Sequence, residues 1–261
     1  MRAKIGDIYL NYELTGSGDR CLALIHGLGG DLCTWDAQVA ALSSYCCVLA
    51  WDVRGFGQSD KPPGPYSASM CASDLAGLLT AVGIERAVIL GVSMGGVIAM
   101  RFALNYPEMT RALIAVSTSS EVKEQAATIW EAQAAIVEHE GLAALPQTPE
   151  RVFSPSFLKA HPAMVDEYFH SRLANDPHAY AAAARAMARY NYTSELETLR
   201  CPALVIVGAD DVMTPPGGSV IIHRRIAGSR LHIVPDAGHG LLVEQPDTVN
   251  RLVLDFVRAL P

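Results

Sequence analysis

The stretch "ILGVSMGGVIAM", Ile89 to Met100, sets a single serine between glycines, directly after one apolar run and directly before another. Ser93 is either a small residue in a packing turn or a nucleophile held where a substrate can reach it. The motif Gly91-Val92-Ser93-Met94-Gly95 matches G-x-S-x-G, a pattern that arises by chance in roughly one average chain in ten, so the five residues alone decide nothing. Their context does. The β-rich run "AVILG" ends on the motif, and the helix-like run "GGVIAMRFAL" starts within it. Small flanking residues let the backbone turn sharply from strand to helix, leaving the hydroxyl exposed at the carboxyl edge of a sheet. The helix N-terminus behind it favours developing negative charge.

Working outward, the N-terminal half alternates short β-rich runs with helical patterns, which predicts an α/β fold with a mostly parallel sheet flanked by helices. "KIGDIYLNYEL", "CLALIHG", "CCVLAWD", "RAVILG" and "RALIAVS" read as strands, and 35–42, 67–82 and 94–105 as helices, the last stopped by Pro107. From about Ser119 to about Tyr192 the chain is Ala-rich, helical in spacing, punctuated by prolines and without a convincing strand. Strand texture returns in "CPALVIVG" and "SRLHIVP", followed by an amphipathic helix over 245–260. The expected organisation is a core of residues 1–118 and 193–261, interrupted by a helical cap of residues 119–192.

Composition narrows the function. The 261 residues are 50% hydrophobic and carry a formal charge of −7, with 20 Lys and Arg against 27 Asp and Glu and no basic run. That distribution lacks the electrostatic footprint phosphate backbones demand and argues against a nucleic-acid partner. The start has no sustained apolar signal region, and the longest apolar stretch, 87–100, is broken by glycines and too short to span a membrane, so a soluble, cytoplasmic protein is expected. Six cysteines are scattered without C-x-x-C spacing or a paired His cluster, so no metal site is expected. Buried free thiols are the simplest reading, with Cys33 set apart because it follows the loop considered next. No oligomeric state is specified.

A serine hydroxyl is a poor nucleophile unless a base takes its proton and an acid orients that base. His239 sits in "VPDAGHGLLVEQP", a Gly-flanked loop straight after the last predicted strand. "LVIVGADDVMTPP" offers Asp210 and Asp211 at the end of the preceding strand, giving the chain order Ser, Asp, His. An oxyanion hole needs backbone N–H groups from the residue after the serine and from a loop after an early strand. "LIHGLGGDLCTW" supplies that loop, making Leu28 and Met94 the expected donors, with His26 shaping the loop rather than titrating. "DVRGFGQSD" reads as a Gly-rich turn braced by Asp52, Arg54 and Asp60. Trp35, Trp130 and Phe153 are candidate substrate-binding residues, with Phe157 and Tyr168 as further aromatics between cap and sheet.

Taken together, "HGLGG", "DVRGFGQSDKP", "GVSMGG", "GADDVMTPP" and "DAGHGLLVEQP" resemble the α/β-hydrolases of the esterase, lactonase and cofactor-free haloperoxidase group. Within it the chain is most similar to 3-oxoadipate enol-lactonases, because the cap also matches around "IWEAQAAIVEHEGLAAL" and "ERVFSPSF". The resemblance implies a serine hydrolase of small carboxylic esters or lactones, working without metal or organic cofactor through an acyl-enzyme on Ser93. Its pattern of Gly, two residues, Asp, three residues, Pro falls on Gly208, Asp211 and Pro215, and so selects Asp211 as the acid. The same constellation can hydrolyse C–C bonds of ring-fission diketones, or bind a ligand as a sensor. A serine rather than aspartate at position 93 argues against haloalkane dehalogenase and epoxide hydrolase chemistry.

Overall fold

The computed structural model describes residues 1–260. In chain order the elements are β1 (Arg2–Ile5), β2 (Ile8–Thr15), β3 (Cys21–Ile25), α1 (Asp36–Leu42), β4 (Cys47–Trp51), α2 (Ala68–Ala81), β5 (Ala87–Val92), α3 (Met94–Asn105) and β6 (Thr110–Val116). Then follow α4 (Glu124–Glu140), α5 (Pro149–Val152), α6 (Pro155–Ala160), α7 (Pro162–Arg172) and α8 (Pro177–Met187). The chain ends with β7 (Ala203–Gly208), α9 (Pro216–Arg225), β8 (Arg230–Val234), α10 (Leu241–Glu244) and α11 (Pro246–Arg258). The eight strands form one sheet in the order β1-β2-β4-β3-β5-β6-β7-β8, antiparallel where β2 meets β1 and β4 and parallel elsewhere.

The central strands read as unbroken apolar runs because helices cover both faces of the sheet. On β5, Ala87 and Ile89 face the α2–α3 side, whereas Val88, Leu90 and Val92 face the side of α1 and α11. Helix α11 shows the matching period: Val249, Leu252, Val253, Phe256 and Val257 are its buried residues, spaced as one stripe of an amphipathic helix. Ser67 caps α2 by accepting from the Met70 amide at 3.1 Å.

Two local expectations change. "KIGDIYLNYEL" is a hairpin rather than one strand, since Gly6 takes φ +59° and pairs Ile5 against Ile8 across a two-residue turn. The segment over 35–42 begins as a 3-10 turn, Leu32–Trp35, before α1. Between β6 and β7 the chain contributes α4 to α8 and no strand of the sheet. Its entry and exit run side by side, with a bridge between Glu121 and Asn191 and the Tyr192 amide donating to the Ser120 carbonyl at 2.8 Å. Inside this insert α4 and α8 meet through Ala134, Ala181 and Ala184, and Arg185 reaches Glu138 at 2.6 Å. No described helix is long and apolar enough to cross a membrane.

Candidate active site

Ser93 is the single residue between β5 and α3, with φ +54° and ψ −117°. A non-glycine residue held there stores strain on the order of 1–3 kcal/mol and persists only where its surroundings fix it. The Ser93 amide donates to the Val116 carbonyl at 3.0 Å, and Thr118 Oγ1 donates to the Ser93 carbonyl at 2.9 Å. The glycines of the motif are set by close approach: a Cβ on Gly91 would stand 2.0 Å from the Gly95 carbonyl oxygen, and one on Gly95 2.0 Å from that of Ile25. Any side chain at either position would push the helix off the sheet.

The loop after β3 lies against this elbow, since a Cβ on Gly27 would stand 3.5 Å from the Ser93 Cβ. Fully buried His26 shapes the loop. The Val53 amide donates to its Nε2 at 3.0 Å, so the proton is on Nδ1, which donates to the Gly27 carbonyl at 2.8 Å. Burial also holds its pKa below the usual histidine value, keeping the ring neutral. The Leu28 amide has no acceptor among the described residues. The Met94 amide, first in α3, has none within its helix.

Asp52 ties this loop to the Gly-rich turn that follows β4. Its Oδ1 accepts from the Leu32 amide at 2.7 Å, and its Oδ2 accepts from the Gln58 amide and Asn11 Nδ2, both at 2.8 Å. Asp60 accepts from the Tyr9 amide at 2.7 Å, whereas Arg54 reaches away from the turn to Asp74 on α2.

At the ends of the last two strands, the His239 ring bonds through Nδ1 to Asp211 Oδ2 at 2.9 Å. Asp211 is buried, and its Oδ1 accepts from the Met213 and Thr214 amides at 2.9 and 2.8 Å. Thr214 Oγ1 donates to Oδ2 at 2.9 Å. Burial pushes the carboxyl toward its neutral form, but the His239 ring and the Thr214 bonds outweigh it and hold the pKa below the usual carboxylate value. Asp210 is exposed to solvent.

Ser93, His239 and Leu28 line one cavity of about 730 Å³, whose other wall comes from the insert. Trp130 is on that wall. Trp35 and Phe153 are not. Trp35 is fully buried with Leu32 and Leu42 in the core on the α1–α11 side, and Phe153 packs inward against Phe157 and Tyr168. Both belong to faces whose direction only the tertiary packing sets. The sequence reading missed Arg151, Arg172 and Tyr180, which line the cavity, because helix faces in the insert carry no motif. Thr214 had a readable signal, its position three residues after Asp211.

All six cysteines are free, and no cluster of His, Cys, Asp and Glu suited to a metal occurs among the described residues. Exposed Cys33 lines the cavity, and partial desolvation and the nearby Asp31 push its thiol up to about 11.

A protein-family model for the alpha/beta hydrolase fold matches residues 22–246. The chain is 32% identical to 3-oxoadipate enol-lactonase 2 of Acinetobacter baylyi, over 95% of this chain and 92% of that one. Among solved structures, a thermophilic esterase from Thermogutta terrifontis with malate bound superposes with a TM-score of 0.93 at 32% identity, covering 100% of this chain and 99% of that one. The enol-lactonase from Burkholderia xenovorans LB400 does so with a TM-score of 0.92 at 28% identity, covering 99% of this chain and 100% of that one. On the matched model, the relatives and the eight-stranded sheet together, this chain belongs to the alpha/beta hydrolase fold family.

Proposed function

We propose that the protein is a serine hydrolase of small carboxylic esters or lactones, with residues 119–192 acting as a cap over the site. The observation that carries this reading is the Asp211–His239 bond at the edge of the cavity onto which the strained Ser93 opens. Ser93 Oγ attacks the carbonyl carbon while His239 Nε2 takes its proton. Asp211 keeps the other ring proton on Nδ1 and offsets the charge of the imidazolium. The amides of Leu28 and Met94 hold the oxyanion. The imidazolium then returns its proton to the departing alkoxide or enolate, leaving an acyl-enzyme. Water, deprotonated by His239, attacks that ester, and collapse releases the acid and restores Ser93.

The cavity also favours a substrate that bears an acid group. Arg151 and Arg172 line it, and neither guanidinium has an acidic partner within 4 Å among the described residues. Arg172 lies over the Tyr168 ring at 3.7 Å, and its Nε is 3.7 Å from where a Cβ on Gly29 would stand. An arginine so placed beside the oxyanion loop offers a fork of donors to a carboxylate. The bound malate of the Thermogutta esterase, a dicarboxylate, is consistent with this, as is the enol-lactonase relative.

The test is a turnover panel of p-nitrophenyl esters of increasing chain length, γ- and enol-lactones, a small carbamate and vinylogous diketones, run beside Ser93→Ala. Multiple turnover of esters or lactones that Ser93→Ala abolishes, with the variant folded, is the expected result. Turnover that survives in Ser93→Ala overturns the serine mechanism, and cleavage of the diketones alone would point to C–C hydrolysis.

A further inference from the structure

The loop carrying His239 is fastened to the insert on both sides of the histidine. On one side, Gly238 donates its amide to Glu244 Oε1 at 2.8 Å, and the other oxygen of that carboxylate, Oε2, accepts from the Ser154 amide at 2.9 Å. On the other side, Gly240 donates its amide directly to the Val152 carbonyl at 2.7 Å. Residues 152–154 are buried, so these are not surface contacts. The approach is too close for side chains: a Cβ on Gly238 would stand 2.7 Å from the Val152 oxygen, and one on Gly240 2.5 Å from the Phe153 ring. Phe153, read from the sequence as a substrate contact, is instead the plate on which the histidine loop rests. It is backed by Phe157 at 5.1 Å and Tyr168 at 5.0 Å.

The second site loop is tied to the insert as well. Asn175 Nδ2, in the turn between α7 and α8, donates to the Gly29 carbonyl at 3.0 Å, one residue after the Leu28 amide. Two separate parts of the insert therefore hold the loop that bears the base and the loop that bears an oxyanion donor.

We propose that Glu244 is a positioning residue for His239 and Asn175 one for the Leu28 amide, so that the insert sets the geometry of the reacting groups as well as covering them. Neither residue touches the reacting atoms. Glu244 acts by spanning two buried amides that would otherwise have no acceptor, which fixes Gly238 against Ser154 and with it the reach of the imidazole toward Ser93 and Asp211. This inference rests on the serine-hydrolase reading above.

The experiment compares wild type, Ser93→Ala, Glu244→Gln, Glu244→Asp and Asn175→Ala, with p-nitrophenyl acetate as substrate. It reads kcat and KM from pH 5 to 9, with circular dichroism to establish folding. Glu244→Gln keeps the shape but turns an NH2 toward one of the two amide donors. It is expected to lower kcat about 10- to 100-fold with KM within about twofold, since small misplacements of a reacting group cost that much. The acidic limb of kcat/KM should move to lower pH, because the lost charge and the slackened Asp211 contact both disfavour the imidazolium. Glu244→Asp, which keeps the charge on a shorter arm, should restore the limb and only part of kcat. Asn175→Ala should lower kcat without moving the limb.

A folded Glu244→Gln with kcat within twofold of wild type, or with its loss in KM alone, overturns the assignment. If that variant does not fold, Glu244→Asp and Asn175→Ala decide it by the same criteria. Ser93→Ala separates the two levels: its residual turnover would sink the underlying reading, whereas an inactive Ser93→Ala beside an unimpaired Glu244→Gln sinks only the positioning role.

Discussion

Asp211 Oδ2 and His239 Nδ1 stand 2.9 Å apart, and the same carboxylate oxygen also accepts from Thr214 Oγ1 at 2.9 Å. The adjacent Asp210 is exposed, and the imidazole bonds to Asp211 instead. Replacing Asp211 by Asn presents an amide where the imidazole needs an acceptor and favours the wrong tautomer. We expect Asp211→Asn to lower kcat on p-nitrophenyl acetate by about 10³- to 10⁴-fold, and Asp210→Asn to stay within about twofold. Steady-state rates of the two variants measured side by side decide between the carboxylates, and the reverse pattern would move the acid to Asp210.

The depressed pKa of Asp211 has a consequence for stability. A carboxyl whose folded pKa lies below its ordinary 3.8 contributes stability that is fully present above that value and is lost as pH falls through the folded pKa. Asp211→Asn should therefore narrow the gap between the urea midpoints at pH 6 and pH 3, relative to wild type. Equal gaps in the two proteins would mean that the carboxylate gains nothing from its partners on folding.

How much of this was readable beforehand differs between the core and the insert, for physical reasons. Helix α3 falls on 94–105 as the sequence predicts, because a strand-to-helix elbow has to place small residues on either side of Ser93. Asp211 could be singled out because it follows β7, which is apolar and buried along its whole length, and His239 because it sits in a Gly-flanked loop after β8, an edge strand that is mostly exposed. The parallel pairing of β7 and β8 sets their ends side by side. Trp35 and Phe153 were misplaced because an aromatic residue carries no mark of which way its helix faces. Trp35 looks into the core behind α1, and Phe153 supports the His239 loop from below. The insert's contribution was the least legible part. Its ties to the site run through Glu244, Asn175 and the Val152 carbonyl, partners 90 and 146 residues apart in the side-chain cases, and no local pattern announces such contacts.

The packing of the elbow makes a separate prediction. Gly95→Ala would bring a methyl group to 2.0 Å from the Ile25 carbonyl oxygen, which belongs to a strand inside the sheet and has little freedom to retreat. The variant should lose about 1–3 kcal/mol of stability or more, the range for overpacking a dense core. Its ester turnover should also fall, because α3 and the Met94 amide must shift together. Urea unfolding with unchanged m-value measures the first effect. A variant as stable as wild type would mean that helix and sheet part more readily than their contact implies.

The two unpaired arginines lead to a prediction about selectivity. If Arg172 and Arg151 receive an acid group on the substrate, replacing either by Leu should affect charged and neutral substrates differently. For a hemiester of a dicarboxylic acid, a lost charge-assisted hydrogen bond of about 1.5–3 kcal/mol corresponds to a fall in kcat/KM of roughly 10- to 150-fold. For the matching methyl-capped diester, where no charge is present to lose, the change should be small. Arg172 should matter more than Arg151, since its guanidinium is already ordered over Tyr168 and lies beside the oxyanion loop, so less rotamer freedom remains to be lost on binding. The decisive quantity is the ratio of kcat/KM for the hemiester to that for the diester in each variant. An equal fall for both substrates would assign the arginines to the shape of the cavity wall rather than to recognition of charge.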